Sequence, residues 1–324
     1  MDARSEHSFP VVVLGGSAGA LDALQRIVAE LPSTFSAAVF VVTHVPGWSV
    51  SAIPHVLARS GALFATHAID GAPIAPGTIV VAPPDHHLLL ADGVMRVVKG
   101  PTENNSRPSI DVLFRSAAAT HGTRVCGVLL SGTLDDGVAG LVAIHRAGGL
   151  ALVQDPEDAQ FAEMPSNALA TGAVDGTYAA GEIAQAIERW IREPRPKGNG
   201  SLQVKDERED GMPSMFSCPD CGGTLWELDD EAVLRYRCRT GHAYNPGTML
   251  ASQGRAVETA LWSALRALGE RRSLLLKLAR QAGLRGHHHA TTHLERQAAD
   301  LLVQMRPLEE TLNGDALTRD EKLS

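Results

Sequence analysis

Three short segments carry residue types that can act together chemically. Gly15-Gly16-Ser17-Ala18-Gly19 follows an apolar run and opens a helical pattern. Such a turn has two chemical uses. Its glycines can let the backbone approach a phosphate at a helix N-terminus, or its bend can present Ser17 as a nucleophile in a G-x-S-x-G arrangement. In the second case the amides at the helix start face a developing oxyanion. A plain Gly-rich turn with a capping serine is the structural alternative. The glycines do not fit G-x-G-x-x-G, and no Asp or Glu occurs from Leu31 to Ile69, where a dinucleotide site would place its ribose acid. His44 stands at the end of the second apolar run instead, where it can reach a serine at the tip of the first. Asp135 and Asp136 follow another apolar run, in the segment 130–137 (LSGTLDDG), so an acid is available to orient the imidazole. Capping of the following helix is the structural alternative for Asp136, and the two roles are compatible. The order Ser, His, Asp differs from the Ser, Asp, His of α/β-hydrolases.

A second group lies far downstream. Cys218, Cys221, Cys238 and His242 form C-x2-C-x16-C-x3-H, the ligand set of a closed tetrahedral zinc site. The intervening residues Thr224 to Leu228 and Val233 to Tyr236 alternate like a small hairpin. A segment this short has little core, so a structural zinc would hold it together. With all four positions filled by protein, no open position is left for catalysis by the metal.

The elements that must position these residues follow from periodicity. Val11–Leu14, Ala37–Val42, Thr78–Ala82, Val125–Leu130 and Leu150–Gln154 read as buried strands. Helical patterns lie over Ala20–Leu31, near Ser51–Arg59, and over Ser109–Thr120, Gly137–Ala147 and Ile183–Ile191. Residues 87–99 read as a hairpin turning at Asp92-Gly93. Continuous apolar strands alternating with helices predict a doubly wound α/β fold with a mostly parallel sheet, whose sites lie at the strands' carboxyl ends. The organisation expected is a catalytic domain over 8–192, a Pro-, Gly- and charge-rich linker over 193–213, a zinc-ribbon-like module over 214–247 and a helical hairpin over 248–315. In the hairpin, Leu261, Leu265, Leu268, Leu275, Ala279 and Ala282 share one stripe. Leu294, Ala298, Leu301, Met305 and Leu308 share another, with a break over Gly283–Ala290. The stripes either pack on each other or form a homodimer or partner-docking face.

Composition sets outer limits. The 324 residues carry 29 Lys and Arg against 37 Asp and Glu, a net charge of −8, which argues against nucleic acid or an anionic membrane as the main partner. An apolar fraction of 44% is ordinary for a globular chain. No apolar run approaches the roughly 20 residues that cross a bilayer, and the polar start of the chain does not read as a signal peptide, so a cytoplasmic protein is expected.

Residues 10–192 resemble the catalytic domain of the chemotaxis protein-glutamate methylesterases (CheB). The motifs are GGSAGALDAL (15–24), VVTHVPG (41–47), GTIVVAPPDHHLLL (77–90), RPSIDVLFRSAA (107–118), VLLSGTLDDGVAGL (128–141), AGGLALVQDPEDA (147–159) and MPSNAL (164–169). The resemblance implies a serine hydrolase that cleaves glutamate methyl esters on chemoreceptor cytoplasmic helices and deamidates receptor glutamines. It places the nucleophile at Ser17, the base at His44 and the orienting acid at Asp136 rather than Asp135. Backbone amides of Ala18 and Thr133 would form the oxyanion hole, although Ala18 often stands as Thr in the family and T-G-M-G reads Ser131-Gly132-Thr133-Leu134 here. No cofactor is implied for catalysis. With the first strand at Val11, no N-terminal receiver domain is expected, and the C-terminal half is expected to regulate or target the enzyme, through a receptor methyltransferase, a signalling kinase or a second copy. A non-catalytic signalling scaffold is the alternative reading. Of the remaining residues, Arg107 and Asp111 could form a buried ion pair, or Arg107 could contact substrate; Met164 and Pro165 read as loop, Cys126 as a core thiol, and His287–His289 as a solvated turn, with metal binding as the alternative.

Overall fold

A computed structural model describes residues 9–44, 51–193, 211–229 and 233–320. In chain order the elements are β1 (Val11–Gly16), α1 (Ala20–Glu30), β2 (Ala38–Thr43), α2 (Ile53–Ser60), β3 (Phe64–His67), β4 (Thr78–Val81), β5 (His87–Ala91), β6 (Val94–Val98), α3 (Ile110–His121), β7 (Val125–Leu129), α4 (Val138–Arg146), β8 (Leu150–Gln154), α5 (Glu163–Leu169), β9 (Gly176–Tyr178) and α6 (Ala180–Arg192). They are followed by β10 (Met212–Ser217), β11 (Thr224–Asp229), β12 (Leu234–Cys238), β13 (Ala243–Tyr244), α7 (Pro246–Leu284) and α8 (His288–Asp320). The chain divides into two compact units, Met1–Leu250 and Ala251–Ser324.

Seven strands form one sheet in the order β3-β4-β2-β1-β7-β8-β9, and every pairing in it is parallel. Both faces are covered, which is why its inner strands are runs of apolar residues rather than alternating with polar ones. Val12, Leu14, Val39, Val41 and Val128 point to one face, where Leu24 and Ile27 of α1 and Ile183 and Ile187 of α6 meet them. Val11, Val13, Phe40, Val42 and Leu129 point to the other, against Ile110 and Phe114 of α3 and Leu141 and Ile144 of α4. The chain leaves β1 towards β2 and later re-enters on the other side of β1 as β7. That makes the β1/β7 junction a switch point, where the loops after the two strands diverge and leave a crevice at their carboxyl ends.

The predicted hairpin is β5–β6, turning through Asp92 and Gly93, both in the left-handed region (φ 48° and 75°). Two short strands escaped the sequence reading, β3 and β9. So did α5: Met164 and Pro165 are not loop residues but stand in its first turn.

Most of the expected linker, 194–210, lies outside the described residues, as do Val45 to Val50. Its end is not linker: Met212 pairs with Glu227 as part of β10. The Cys/His segment is an antiparallel four-stranded sheet, β10-β11-β12-β13, around a small core of Leu225, Tyr236, Tyr244 and Met249. It belongs to the same compact unit as the large sheet.

In the second unit, α7 and α8 are joined by a break at 285–287, so His288 and His289 open α8 rather than sitting in the turn. The two predicted stripes are the sheltered faces. Ala279, Ala298 and Leu301 are buried, and Met305 lies beside Gly269. The stripes therefore cover each other.

Candidate active site and metal group

Ser17 leaves the tip of β1, His44 the tip of β2, and Asp136 lies in the loop after β7. Three loops of neighbouring parallel strands thus bring together residues 27 and 92 positions apart. His44 Nδ1 is 3.0 Å from Ser17 Oγ, and His44 Nε2 is 2.8 Å from Asp136 Oδ2. With Asp136 ionised, the tautomer bearing its proton on Nε2 satisfies both contacts, leaving Nδ1 free to accept from the Ser17 hydroxyl.

Asp136 is 1% exposed. Burial pushes its carboxyl up, but the His44 contact, Asn104 and the Ile110 N–H outweigh it and hold it below the ordinary value. Its Oδ2 accepts from His44 and from the Ile110 N–H (2.8 Å). Its Oδ1 accepts from Asn104 Nδ2 (2.8 Å), Ser109 Oγ (2.8 Å) and the Asp111 N–H (3.2 Å). The Ile110 and Asp111 amides are the open N-terminus of α3, a favourable seat for an anion. Asp136 is thus not the cap of its own helix, α4, which begins after Gly137 with no side-chain cap; it caps α3 instead.

Ser17 is fixed by Ser131, a residue that stood out in the sequence only as a departure from the family motif. The Ser17 N–H donates to Ser131 O (2.9 Å), Ser131 Oγ donates to Ala18 O (2.7 Å), and the Phe161 N–H donates to Ser131 Oγ (2.9 Å). Gly19 supplies the left-handed turn (φ 74°) that lets α1 start directly after the serine. On the opposite lip, Leu134 is held in the left-handed region (φ 62°) with its carbonyl accepting from Asn167 Nδ2 of α5 at 2.8 Å. The Gly132 N–H donates to Phe161 O. By contrast, no protein acceptor for the Ala18 or Thr133 N–H is found among the described residues. Those two amides can serve a developing oxyanion.

The neighbouring acid has a different role. Asp135 Oδ2 accepts from the Gly247 N–H (2.8 Å) and Oδ1 from the Thr248 N–H (3.1 Å), at the start of α7; burial raises its pKa. Asp111 does not pair with Arg107. Arg107 binds Asp85 (Nε to Oδ1, 2.8 Å), while fully buried Asp111 accepts from Gly140 N–H, Asn104 Nδ2 and Asn245 Nδ2 at 2.6, 2.7 and 3.0 Å. Burial and then the Asp136 charge push Asp111 up to about 6. His87, also buried, accepts from the Ser109 N–H on Nδ1 and donates from Nε2 to Pro101 O, and burial lowers its pKa. It thereby steadies the serine that donates to Asp136.

Cys218, Cys221, Cys238 and His242 converge, with their ligand atoms all within 4.8 Å of one another. Cys221 Sγ and Cys238 Sγ are 3.7 Å apart, and His242 Nδ1 is 3.6 Å from Cys218 Sγ and 3.5 Å from Cys238 Sγ. A tetrahedron with metal–sulfur bonds of about 2.3 Å and a metal–nitrogen bond of about 2.05 Å has edges of about 3.8 Å and about 3.6 Å. Three of the six edges match such a tetrahedron, and all four ligand atoms stay within 4.8 Å of one another. The Gly223 N–H and the Thr240 hydroxyl lower the Cys221 thiol to about 6, whereas burial pushes the Cys218 thiol up to about 11.

Comparison with known proteins agrees with this layout. The family model described as CheB methylesterase matches residues 12–187. A protein-glutamate methylesterase/protein-glutamine glutaminase of Anaeromyxobacter dehalogenans is 39% identical over 204 residues, 60% of this chain and 58% of its own. One from Chromohalobacter salexigens is 36% identical over 181 residues, 55% of this chain and 51% of its own. The chain thus spans little more than half the length of these relatives. The crystal structure of the Thermotoga maritima CheB methylesterase catalytic domain superimposes with a TM-score of 0.54 at 29% identity, covering 57% of this chain and 98% of that one. With more than half of its residues matched in order and the same fold, the chain belongs to the CheB methylesterase family.

Proposed function

We propose that the chain hydrolyses glutamate γ-methyl esters on the cytoplasmic helices of methyl-accepting chemoreceptors and deamidates receptor glutamines at the same site. The observation that carries this is the unbroken hydrogen-bonded line from Ser17 Oγ through His44 to Asp136 at the sheet's switch point. The names of the relatives supply the substrate class. That line also favours catalysis over a scaffold role, which has no use for a serine, an imidazole and a buried acid in this order.

In the proposed reaction, His44 Nδ1 takes the Ser17 proton as Oγ attacks the ester carbonyl. The Ala18 and Thr133 N–H groups receive the oxyanion. The imidazolium, steadied by Asp136, returns the proton to the departing methoxide, and methanol leaves. Water then attacks the acyl-enzyme, gives its proton to Nδ1, and releases the glutamate carboxylate with Ser17 restored. With a glutamine substrate the leaving group is ammonia.

The Cys218, Cys221, Cys238 and His242 group is proposed to hold a structural zinc, whose chemistry is to tie β10–β13 together. No helix among the described residues is long and apolar enough to cross a membrane, which agrees with action in the cytoplasm. Exposed Val257, Trp262, Leu302 and Val303 on α7 and α8 suit a protein partner, such as a receptor methyltransferase, a kinase or a second copy.

Methanol release from methylated receptor, comparing wild type with Ser17→Ala, tests the reading. Release by the wild type alone is expected. Equal release by Ser17→Ala overturns it.

A further inference from the structure

We infer that the Cys/His module is a positioning element of the hydrolase site, acting on the acid of the triad through Asn245 and Asn104. The inference rests on the triad reading above and adds a control to it.

The two parts meet through the segment Thr102–Asn104. Asn104 N–H donates to Ala243 O (2.8 Å), the Ala243 N–H points to Thr102 O (3.4 Å), and Thr102 Oγ1 donates to Asp220 Oδ2 (3.1 Å). Ala243 follows His242 directly, and Asp220 lies between Cys218 and Cys221. Two of the module's ligand-bearing turns therefore grip one short segment of the large fold. Glu103 adds an ionic tie. Its carboxylate lies 2.6 Å from Arg115 of α3 and 3.7 Å from Arg235 of β12.

The gripped segment ends in Asn104, a left-handed residue (φ 51°) whose side chain is engaged at both ends. Its Nδ2 donates to Asp136 and Asp111. Its Oδ1 accepts from the Asn245 N–H (2.8 Å) and Thr248 Oγ1 (3.0 Å). Asn245 in turn donates from Nδ2 to Asp111 and to Asp135 O (2.8 Å). So Asp111, Asp135 and Asp136, three buried carboxylates around one loop, draw a large part of their donors from residues 245–248, directly or through Asn104.

Buried charges without donors are costly, and the groups bearing them reorient, protonate or admit water. The large fold supplies Asn104, but the donors of residues 245–248 that hold Asn104, Asp111 and Asp135 follow the module's last strand. A left-handed Asn held by the module's carbonyl also has reason to relax when that carbonyl leaves. Displacing the module thus releases Asn104, and with it one of the Oδ1 donors that hold the Asp136 carboxylate with its Oδ2 against His44. Asn245 and Asn104 are positioning residues here. Neither touches Ser17 or the ester.

The test reads Ser17 directly in the full chain, by the rate at which a fluorophosphonate labels it, together with zinc content per chain. Asn245→Ala is expected to keep its zinc and label about 10- to 100-fold more slowly. In methanol release its kcat falls by a similar factor while KM for receptor stays unchanged. Wild type stripped of zinc by a chelator is expected to slow at least as much and to recover when zinc alone is added back. Stripping is expected to add little to Asn245→Ala, because both break one path. Wild-type labelling by zinc-replete Asn245→Ala overturns the inference, even if the stripped protein unfolds. So does an unchanged rate in stripped wild type. Wild type that is not labelled at Ser17 at all overturns the triad reading and the positioning role with it.

Discussion

Asp136→Asn changes one atom of the acid and almost nothing of its shape, so the donors around the side chain decide how the amide sits. An amide must place an NH2 where one carboxylate oxygen now accepts. At the Oδ1 position it meets Asn104 Nδ2, Ser109 Oγ and the Asp111 N–H. The hydroxyl of Ser109 can turn to accept, but two donors remain facing a donor, at about 1–3 kcal/mol each. At the Oδ2 position the NH2 meets only one fixed donor, the Ile110 N–H, because His44 Nε2 can shed its proton and accept. The second placement is favoured by one such clash. It forces the His44 proton onto Nδ1, facing Ser17 Oγ, where the base is needed. The expected outcome is a kcat for methanol release reduced by about 10⁴, a loss of about 1–3 kcal/mol in urea unfolding, and an NMR spectrum showing His44 protonated on Nδ1. A variant that folds and keeps a tenth or more of wild-type kcat would refute the reasoning, since the acid would not then be setting the tautomer.

Two further outcomes concern the same neighbourhood. Ser131→Ala removes the donor to Ala18 O and the acceptor of the Phe161 N–H; a loss of about 1–3 kcal/mol and a drop in fluorophosphonate labelling of about tenfold or more are expected, and unchanged labelling counts against its hold on the nucleophile turn. Asp111, raised to about 6, keeps its proton in the folded chain at pH values where the unfolded chain, with a value of 3.8, has lost it. The folded state then binds more protons between about pH 4 and about pH 6. Its contribution to stability is complete below that window and lost as pH rises through it, with a slope of at most about 1.4 kcal/mol per pH unit. Asp136, lowered, acts with the opposite sign and below the window. Asp111→Asn should flatten urea midpoints between about pH 4 and about pH 6 relative to wild type; parallel curves would show that Asp111 does not titrate there.

The sheet was legible because doubly covered parallel strands leave a plain signature, four to six β-branched or other apolar residues with nothing charged among them. Strands without that cover did not show. The first residue of β3, Phe64, is 68% exposed, and β9 is three residues beginning with glycine. The Met-Pro-Ser-Asn run of α5 reads locally as a breaker, yet Asn167 faces the Leu134 carbonyl only because a helix carries it there. Ser17, His44 and Asp136 could be read because each lies in the loop that follows a strand, and the carboxyl ends of neighbouring strands in one parallel sheet lie side by side. Asn104 could not. Its surroundings, Thr102 to Ser106, are a polar stretch without period, and its partners lie 32 residues on at Asp136 and 141 residues on at Asn245. No local pattern encodes a contact of that range.

The pair Asp135-Asp136 shows why sequence position alone could not divide the roles. Adjacent buried carboxylates repel, and each needs its own set of donors to stay ionised. Each takes the same kind of donor from a different helix. Asp136 takes the first amides of α3, Ile110 and Asp111, while Asp135 takes Gly247 and Thr248 at the start of α7. Both helix starts have open N–H groups and a positive end, so either acid is suited to capping. Their surroundings separate them. Asp136 reaches His44 at the tip of β2, whereas Asp135 reaches the C-terminal end of the Cys/His module. The acid that meets His44 and the acid that meets the start of α7 are thus consecutive residues of one loop, directly after the left-handed Leu134. A shift of the module that moves Asp135 has only one peptide unit in which to be absorbed before it reaches Asp136.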